Sequence, residues 1–191
     1  DVSIDKQLPH VWFGKEGPAY ITNAITFSKD VIDGGRNTGW YRFTQFLDAS
    51  HPLGGSYAPE RAKTDLAAFY WWKPPYSDIG RHVFRASEQG KRLEVAIAGV
   101  CDPALHLAAG TAVPFGADET AFAGGLRGAA IEMVKCETVD LEVPATAEWV
   151  LEGEVHYEES EIIGWHSNPV GYYDSVQMLP IVRIKAITHR R

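Results

Sequence analysis

Three side chains of different types could together bind a metal ion. Asn37 follows the turn DGGR, His82 lies in GRHVF, and Glu119 lies in ADETAFAG. They would supply an amide oxygen, an imidazole nitrogen and a carboxylate oxygen, a set that suits Mn²⁺ or Mg²⁺ with phosphate oxygens better than Zn²⁺. Each also has an ordinary interpretation: a turn asparagine, a structural histidine, and an acidic residue that stabilises a first helical turn. Sequence spacing alone does not show that they meet.

Arg42 lies five positions after Asn37, at the start of a predicted strand. An odd separation puts two side chains on opposite faces of a regular strand. The two residues can therefore converge on one ligand only if Asn37 belongs to the preceding turn. A surface arginine is the alternative interpretation.

Strand-like patterns cover most of the chain. Alternating or continuous apolar residues predict strands over residues 19–27, 40–48, 93–101, 131–136, 147–157 and 178–189. Helix signals are fewer, and they predict helices over residues 77–90 (N-cap Ser77 or Asp78, stop Gly90), 102–110 (N-cap Asp102, then Pro103) and 117–128. Because helices and strands do not alternate regularly, the pattern favours an α+β fold with a mainly antiparallel sheet or barrel.

Residues 49–76 form a long predicted connection that is rich in proline, glycine and aromatic residues. Connections of this length are usually functional or mobile. We interpret this one either as a packed surface excursion or as a wall of the substrate site or a subunit contact.

Composition excludes some classes of partner. The 191 residues carry a formal net charge of -7, and no element concentrates lysine and arginine, so we expect no nucleic acid partner. No apolar run approaches the length of a membrane span, so we expect no membrane partner. The two cysteines, Cys101 and Cys136, lie in apolar runs, which predicts reduced, buried thiols in a cytoplasmic protein.

The stretch 132–155, EMVKCETVDLEVPATAEWVLEGEV, is the most distinctive sequence in the chain. Taken by itself it predicts a strand, a proline turn and a long edge strand. Glu148, Glu152 and Glu154 have even spacing, which places them on one face and is consistent with a solvated face.

This stretch also closely resembles the signature of UbiD-type decarboxylases. Other segments of the sequence also resemble segments of that family, and they occur in the same order. They are YITNAITFSKD, NTGWYR, the block VAIAGVCDPALHLAAG, and the closing GYYDSVQMLPIVRIKAITHR. The resemblance covers essentially the whole chain. It implies that residues 1–191 are a single core domain of a longer protein whose N-terminal and C-terminal domains are absent here.

The resemblance implies a split β-barrel, like that of flavin reductases, that binds prenylated FMN. Asn37, His82 and Glu119 would bind Mn²⁺ or Mg²⁺ beside the cofactor phosphate. K⁺ would bind near Ala108, Ala109 and Thr111 together with Glu119. Further cofactor contacts would come from Thr38, Trp40 and Arg81, and Arg42 would lie beside the cofactor.

The resemblance also implies the reaction, a reversible non-oxidative decarboxylation of an aromatic or α,β-unsaturated carboxylic acid. Arg42 matches the active-site arginine of the family and would pair with the substrate carboxylate. A flavin prenyltransferase would supply the cofactor, and the intact protein would form a homo-oligomer.

The chain departs from the family at the acids that return the proton. Without gaps, the family's two acids fall on Ile163 and Asn168 of IGWHSN. With a two-residue gap, Glu161 replaces the first acid, and His166 is a further candidate donor. Two alternatives follow: a non-catalytic subunit or scaffold that retains the fold, and an ordinary flavin-binding reductase domain.

Overall fold

Strand pairing organises the chain into one ring. The structure, a computed structural model, describes residues 20–45, 61, 64–70, 77–114, 116–163, 166–167, 171–174 and 177–190. Six antiparallel strands close into a barrel in the order β1-β2-β3-β10-β7-β4. Their bounds are β1 Tyr20–Lys29, β2 Arg36–Gln45, β3 Asp65–Ala68, β4 Leu93–Gly99, β7 Trp149–Ile163 and β10 Gln177–His189.

The remaining elements are short. Three helices are present in the described residues: α1 Asp78–Glu88, α2 Pro103–Ala109 and α3 Glu119–Arg127. Two small hairpins pair β5 Met133–Lys135 with β6 Glu142–Pro144, and β8 His166–Ser167 with β9 Tyr173–Asp174. The predicted mainly antiparallel α+β fold is confirmed, whereas its likeness to the split barrel of flavin reductases stays a prediction.

Strand β4 is apolar apart from Glu94, because both of its faces are buried. Leu93, Val95 and Ile97 pack with residues of all the other barrel strands and of α1, so this cluster fills the barrel interior. Ala96 and Ala98 face the opposite way, where α2, α3 and β6 cover the sheet. A strand buried on both faces has a continuous apolar sequence instead of an alternating one.

The helices begin where the sequence predicts. Ser77 caps α1 by accepting a hydrogen bond from Gly80 N, and Asp102 caps α2 in the same way through Ala104 N. Asp118 caps α3, which makes Glu119 its first residue, and the left-handed Gly128 follows its last turn. These caps satisfy amides that have no partner inside the helix.

Strand bounds depart most from the predictions in three places. Strand β2 begins at Arg36 instead of residue 40, because Asp30 N donates to Gly35 O and closes a short turn. Strand β7 continues to Ile163, six residues past its predicted end, because β10 pairs with it along that length. The predicted strand 131–136 is only the first half of the β5–β6 hairpin.

The long predicted connection 49–76 also contains a strand. Strand β3 lies within it and pairs with both β2 and β10, so it completes the ring. Residues 49–60, 62–63 and 71–76 lie outside the described residues, so neither interpretation of that connection is tested.

The prediction that Glu152 faces solvent is wrong. Its side chain is 1% exposed and accepts hydrogen bonds from Glu137 N, Thr138 N and Thr138 Oγ1. The carboxylate therefore holds the turn of the β5–β6 hairpin against the barrel. Glu148 and Glu154 do reach the surface, where they pair with Arg190 and Lys185.

Two glycines allow close approaches between strands. A Cβ on Gly153 would collide with the backbone oxygen of Arg183 in β10. A Cβ on Gly99 would collide with the indole of Trp149, its direct partner across β4 and β7. The sequence EWVLEG is therefore distinctive for a structural reason, because its residues Trp149, Glu152 and Gly153 determine how β7 packs against its neighbours.

The cysteines are free, and both are half-buried instead of fully buried. Burial raises the pKa of Cys101 and of Cys136 to about 12, so both remain protonated thiols at neutral pH. No helix of the described chain is long and apolar enough to cross a membrane.

We predict that Glu152→Gln lowers the free energy of unfolding by about 1–3 kcal/mol, because a neutral amide cannot accept all three hydrogen bonds equally well. Denaturant-induced unfolding measures this change. Glu148→Gln is the matched control, since its half-exposed side chain contacts Arg190 at the surface, and it should change stability by less than about 0.5 kcal/mol. Equal effects of the two substitutions would contradict the role of Glu152.

Candidate metal and cofactor site

A cavity of about 300 Å³ lies where the start of β2 meets α1 and the start of α3. Asn37 comes from β2, His82 from α1 and Glu119 from α3, and all three line it. The other lining residues are Asp33, Gly35, Arg36, Asp78, Val113, Pro114, Gly116 and Ala117. The fold therefore brings together three residues that the sequence separates by up to 82 positions.

A larger groove of about 800 Å³ lies elsewhere on the barrel, and no residue predicted for the site lines it. Several of its charged side chains already pair with each other, as Lys29 does with Asp140 and Arg92 with Glu154. The smaller cavity therefore carries the candidate chemistry.

Asn37 is buried with an unsatisfied amide. Its side chain is 4% exposed, and its Nδ2 has no hydrogen-bond partner among the residues that the structure describes. The Tyr41 hydroxyl lies near, but the contact falls short of hydrogen-bond geometry. Leaving a buried polar atom unpaired costs about 1–3 kcal/mol. A hydrogen-bond acceptor bound in the cavity would offset this cost, and a 180° rotation of the amide would instead present its oxygen there to a cation.

Tyr41 joins β2 to the start of α1. Its hydroxyl accepts a hydrogen bond from Ile79 N at 3.3 Å. Burial raises the pKa of Tyr41 to about 12, so the hydroxyl stays protonated. This contact fixes the helix that carries His82 against the strand that carries Asn37.

His82 is buried and neutral. Its Nδ1 lies 3.0 Å from Ser28 Oγ, and its Nε2 lies 3.8 Å from Asp30 Oδ2. Burial lowers the pKa of His82 and outweighs the opposite effect of Asp30 and Asp33. The neutral imidazole is the form that binds metal ions.

Glu119 is buried at the first position of α3. Its side chain is 7% exposed, and its Oε2 accepts a hydrogen bond from Thr38 N at 3.1 Å. Burial raises the pKa of Glu119, although this hydrogen bond opposes the shift. A cation in the cavity would stabilise the charged carboxylate.

The donor set fits a divalent metal of the Mn²⁺ or Mg²⁺ kind. Two oxygen donors and one imidazole on three elements leave coordination positions for water or phosphate oxygens. Within the described ranges, no three His, Cys, Asp or Glu residues are placed to hold a metal ion. The set therefore depends on the amide of Asn37.

The residues predicted for K⁺ lie at the end of α2. Ala108 O accepts a hydrogen bond from Thr111 N at 3.1 Å, and Thr111 Oγ1 donates to Leu107 O at 2.6 Å. Ala108 is buried and Ala109 is half-buried. The loop after α2 reaches the cavity at Val113. In the sequence, Ala108, Ala109 and Thr111 therefore come just before the segment that lines the cavity and leads to Glu119.

The other predicted cofactor contacts, Thr38, Trp40 and Arg81, do not line the cavity. The Thr38 hydroxyl is 3.1 Å from that of Thr120, which follows Glu119. Trp40 is half-exposed, and its indole donates to Thr22 O at 2.6 Å. Arg81 precedes His82 on α1 and is half-buried.

Arg42 lies nearer the other end of β2 and does not line the cavity. Its guanidinium lies over the rings of Tyr20 and Phe69, at 5.6 and 5.8 Å from their centres. Strand β1 has an irregular register opposite Arg42, between Ile21 and Ala24. Such bulges are common beside active sites because they redirect side chains.

Asn37 and Arg42 both belong to β2, so Asn37 is not in the preceding turn and the condition for their convergence is not met. The odd spacing instead separates them along one strand.

The candidate proton donors are only partly described. Glu161 Oε2 forms an ion pair with Arg61 Nη1 at 3.4 Å, within a network that includes Glu159, Asp65 and Arg183. The backbone of His166 lies in β8. Its side chain and the whole of Asn168 lie outside the described residues.

Sequence reasoning did not identify Ser28, Tyr41 or Arg61 as neighbours of the candidate residues. Ser28 and His82 are 54 positions apart, and Arg61 and Glu161 are 100 apart. The alternation of strand β1 could have placed Ser28 on the barrel's inner face, but nothing in the sequence pairs it with α1.

Comparisons with known proteins place the chain in a family. The family model that describes the 3-octaprenyl-4-hydroxybenzoate carboxy-lyase (UbiD) Rift-related domain matches residues 1–191. An uncharacterized protein from Synechocystis sp. is 37% identical over 171 residues, which are 90% of this chain and 30% of that protein. The chain spans about a third of the length of the curated relatives that it matches.

Solved structures agree with the family model. The UbiD-class enzyme HmfF from Pelotomaculum thermopropionicum, solved in complex with prenylated FMN, matches with a TM-score of 0.83 and 31% identity, over 100% of this chain and 40% of that one. Vanillic acid decarboxylase from Sedimentibacter hydroxybenzoicus in its closed form matches with a TM-score of 0.83 and 26% identity, over 100% of this chain and 38% of that one. On its sequence and its fold, this chain belongs to the UbiD family.

Proposed function

We propose that this chain is the prenylated-FMN-binding core of a decarboxylase that acts reversibly and without oxidation on an aromatic or α,β-unsaturated carboxylic acid. One observation carries the proposal: Asn37, His82 and Glu119, from three elements, line a single cavity. The similarity to HmfF with prenylated FMN and to vanillic acid decarboxylase supports the cofactor and the class of substrate.

In this proposal the cavity holds the phosphate end of the cofactor. Asn37, His82 and Glu119 bind Mn²⁺ or Mg²⁺, and the metal neutralises the phosphate in a protein of net charge -7. The carbonyls of Ala108, Ala109 and Thr111 bind K⁺ together with Glu119. Thr38, Trp40 and Arg81 add contacts at the edge of the cavity.

The chemistry is divided between cofactor and protein. When bound, prenylated FMN supplies the electron sink for the carbon that loses carbon dioxide. Arg42 binds the substrate carboxylate through its planar guanidinium, which the rings of Tyr20 and Phe69 hold in place. Glu161 or His166 returns a proton to the product, and Asn168, which has no acidic proton, orients the donor or the substrate.

The intact protein is proposed to act as a homo-oligomer and to receive its cofactor from a flavin prenyltransferase. The barrel would then serve as a split barrel of the flavin reductase kind, with the flavin against its outer face near Trp40.

A non-catalytic subunit is the second candidate. Ile163 and Asn168 replace the two acids of the family, and Glu161 is already paired with Arg61. A cofactor-loaded full-length protein that releases no carbon dioxide from a panel of aromatic and acrylic acids would favour this candidate.

We predict that Asn37→Ala and Glu119→Gln each weaken Mn²⁺ binding by at least about 10-fold in the natural full-length protein with FMN, because the first removes a ligand and the second removes the negative charge of another. Isothermal titration calorimetry measures the affinity. Glu88→Gln is the control, since this exposed carboxylate ends α1 away from the cavity, and it should leave the affinity unchanged. Wild-type affinity in the Asn37 and Glu119 variants would refute the metal site.

We predict that Arg42→Ala lowers the rate of carbon dioxide release by at least about 100-fold while the flavin stays bound, because the substrate carboxylate loses its partner. Substrate turnover and the visible absorbance of the flavin are measured on the same sample. Arg190→Ala, which removes a surface arginine paired with Glu148, should retain both. Loss of flavin from the Arg42 variant would assign Arg42 to cofactor binding instead.

A further inference from the structure

Ser28 and Asn37 face each other across β1 and β2. The two residues are direct partners in the register of the strands. Asn37 lines the cavity, while Ser28 Oγ lies 3.0 Å from His82 Nδ1. One cross-strand pair therefore carries one candidate metal ligand and touches a second, which comes from α1.

The contact with Ser28 determines which nitrogen of His82 is available. An imidazole has two ring nitrogens, and a hydrogen bond to one leaves only the other for a metal ion. Ser28 occupies Nδ1, so Nε2 remains.

Asp30 does not compete for that nitrogen as a hydrogen-bond partner. Its Oδ2 is 3.8 Å from Nε2, beyond hydrogen-bond distance. The same carboxylate already accepts hydrogen bonds from Ile32 N and Arg85 Nη1, each at 2.8 Å.

We propose that Ser28 is a positioning residue for the metal site: it accepts the Nδ1–H of His82, fixes the orientation of the ring and keeps the lone pair of Nε2 for the metal. This inference rests on the proposed function, because it needs the metal that Asn37, His82 and Glu119 would bind. Partners of this kind hold the tautomer of a histidine ligand and raise its basicity.

The burial of both side chains makes the hydroxyl necessary. Ser28 and His82 are both buried, so Nδ1 stays away from bulk water when the hydroxyl is removed. An alanine would leave Nδ1 without a partner and the ring free to rotate. A threonine would retain the hydroxyl and add only a methyl group.

The experiment compares Ser28→Ala and Ser28→Thr in the natural full-length protein with Mn²⁺ and FMN. We expect Ser28→Ala to weaken Mn²⁺ binding by about 10–100-fold and Ser28→Thr to restore most of the affinity. Ser87→Ala is the matched control, because it removes a serine on α1 that donates to Phe84 O at 2.6 Å without contacting His82, and it should leave the affinity unchanged.

A second measurement needs no variant. The nitrogen-15 chemical shifts of His82 in the metal-free protein report which ring nitrogen carries the proton, and we expect Nδ1. A proton on Nε2 would overturn the assignment of Ser28.

The two hypotheses fail in different ways. Wild-type Mn²⁺ affinity in Ser28→Ala, together with weak binding in Glu119→Gln, would overturn the role of Ser28 and leave the metal site intact. Absence of Mn²⁺ binding by the unmodified protein would overturn both.

Discussion

Burying the carboxylate of Glu119 costs free energy that hydrogen-bond donors or a cation must offset. Among the described residues, Thr38 N donates a hydrogen bond to this carboxylate, and the amide of Asn37 and the imidazole of His82 lie around the same cavity. Within the described part of the chain Asn37 Nδ2 has no hydrogen-bond partner, and burial disfavours the charge on Glu119. A bound metal with a phosphate would satisfy both needs at once.

The barrel and its helices hold these three groups around the cavity. Ser28 and Asn37 pair across two strands, Tyr41 ties β2 to α1, and Asp118 sets the first residue of α3. The sequence motif by which the family is recognised has a structural role instead. Trp149 and Gly153 pack β7 against its neighbouring strands, and Glu152 holds the turn of the β5–β6 hairpin. This motif therefore maintains the barrel, and the candidate site lies in residues whose sequence is less distinctive.

Local signals made much of the fold predictable. Caps at Ser77 and Asp102 located two helices, because a cap acts within three residues of itself. Alternation failed at Glu152, since a period of two shows which residues share a face but not what covers that face. It failed for β3 as well, because a four-residue strand is too short to show a period.

The candidate site was predictable only through resemblance. Nothing in the spacing of Asn37, His82 and Glu119 implies that they share a cavity. Ser28, which contacts His82, is 54 positions from it in the sequence. Arg61, which pairs with the candidate acid Glu161, is 100 positions from it. Only the closed strand order brings these pairs into contact.

Anomalous diffraction at the manganese absorption edge, from crystals of the natural full-length protein grown with Mn²⁺ and FMN, would locate the metal. We expect one strong manganese peak bonded to the amide oxygen of Asn37, Nε2 of His82 and the carboxylate of Glu119, with a phosphate oxygen of the flavin beside it. A peak elsewhere, or a flavin phosphate bound in this cavity without metal, would contradict the proposed metal site.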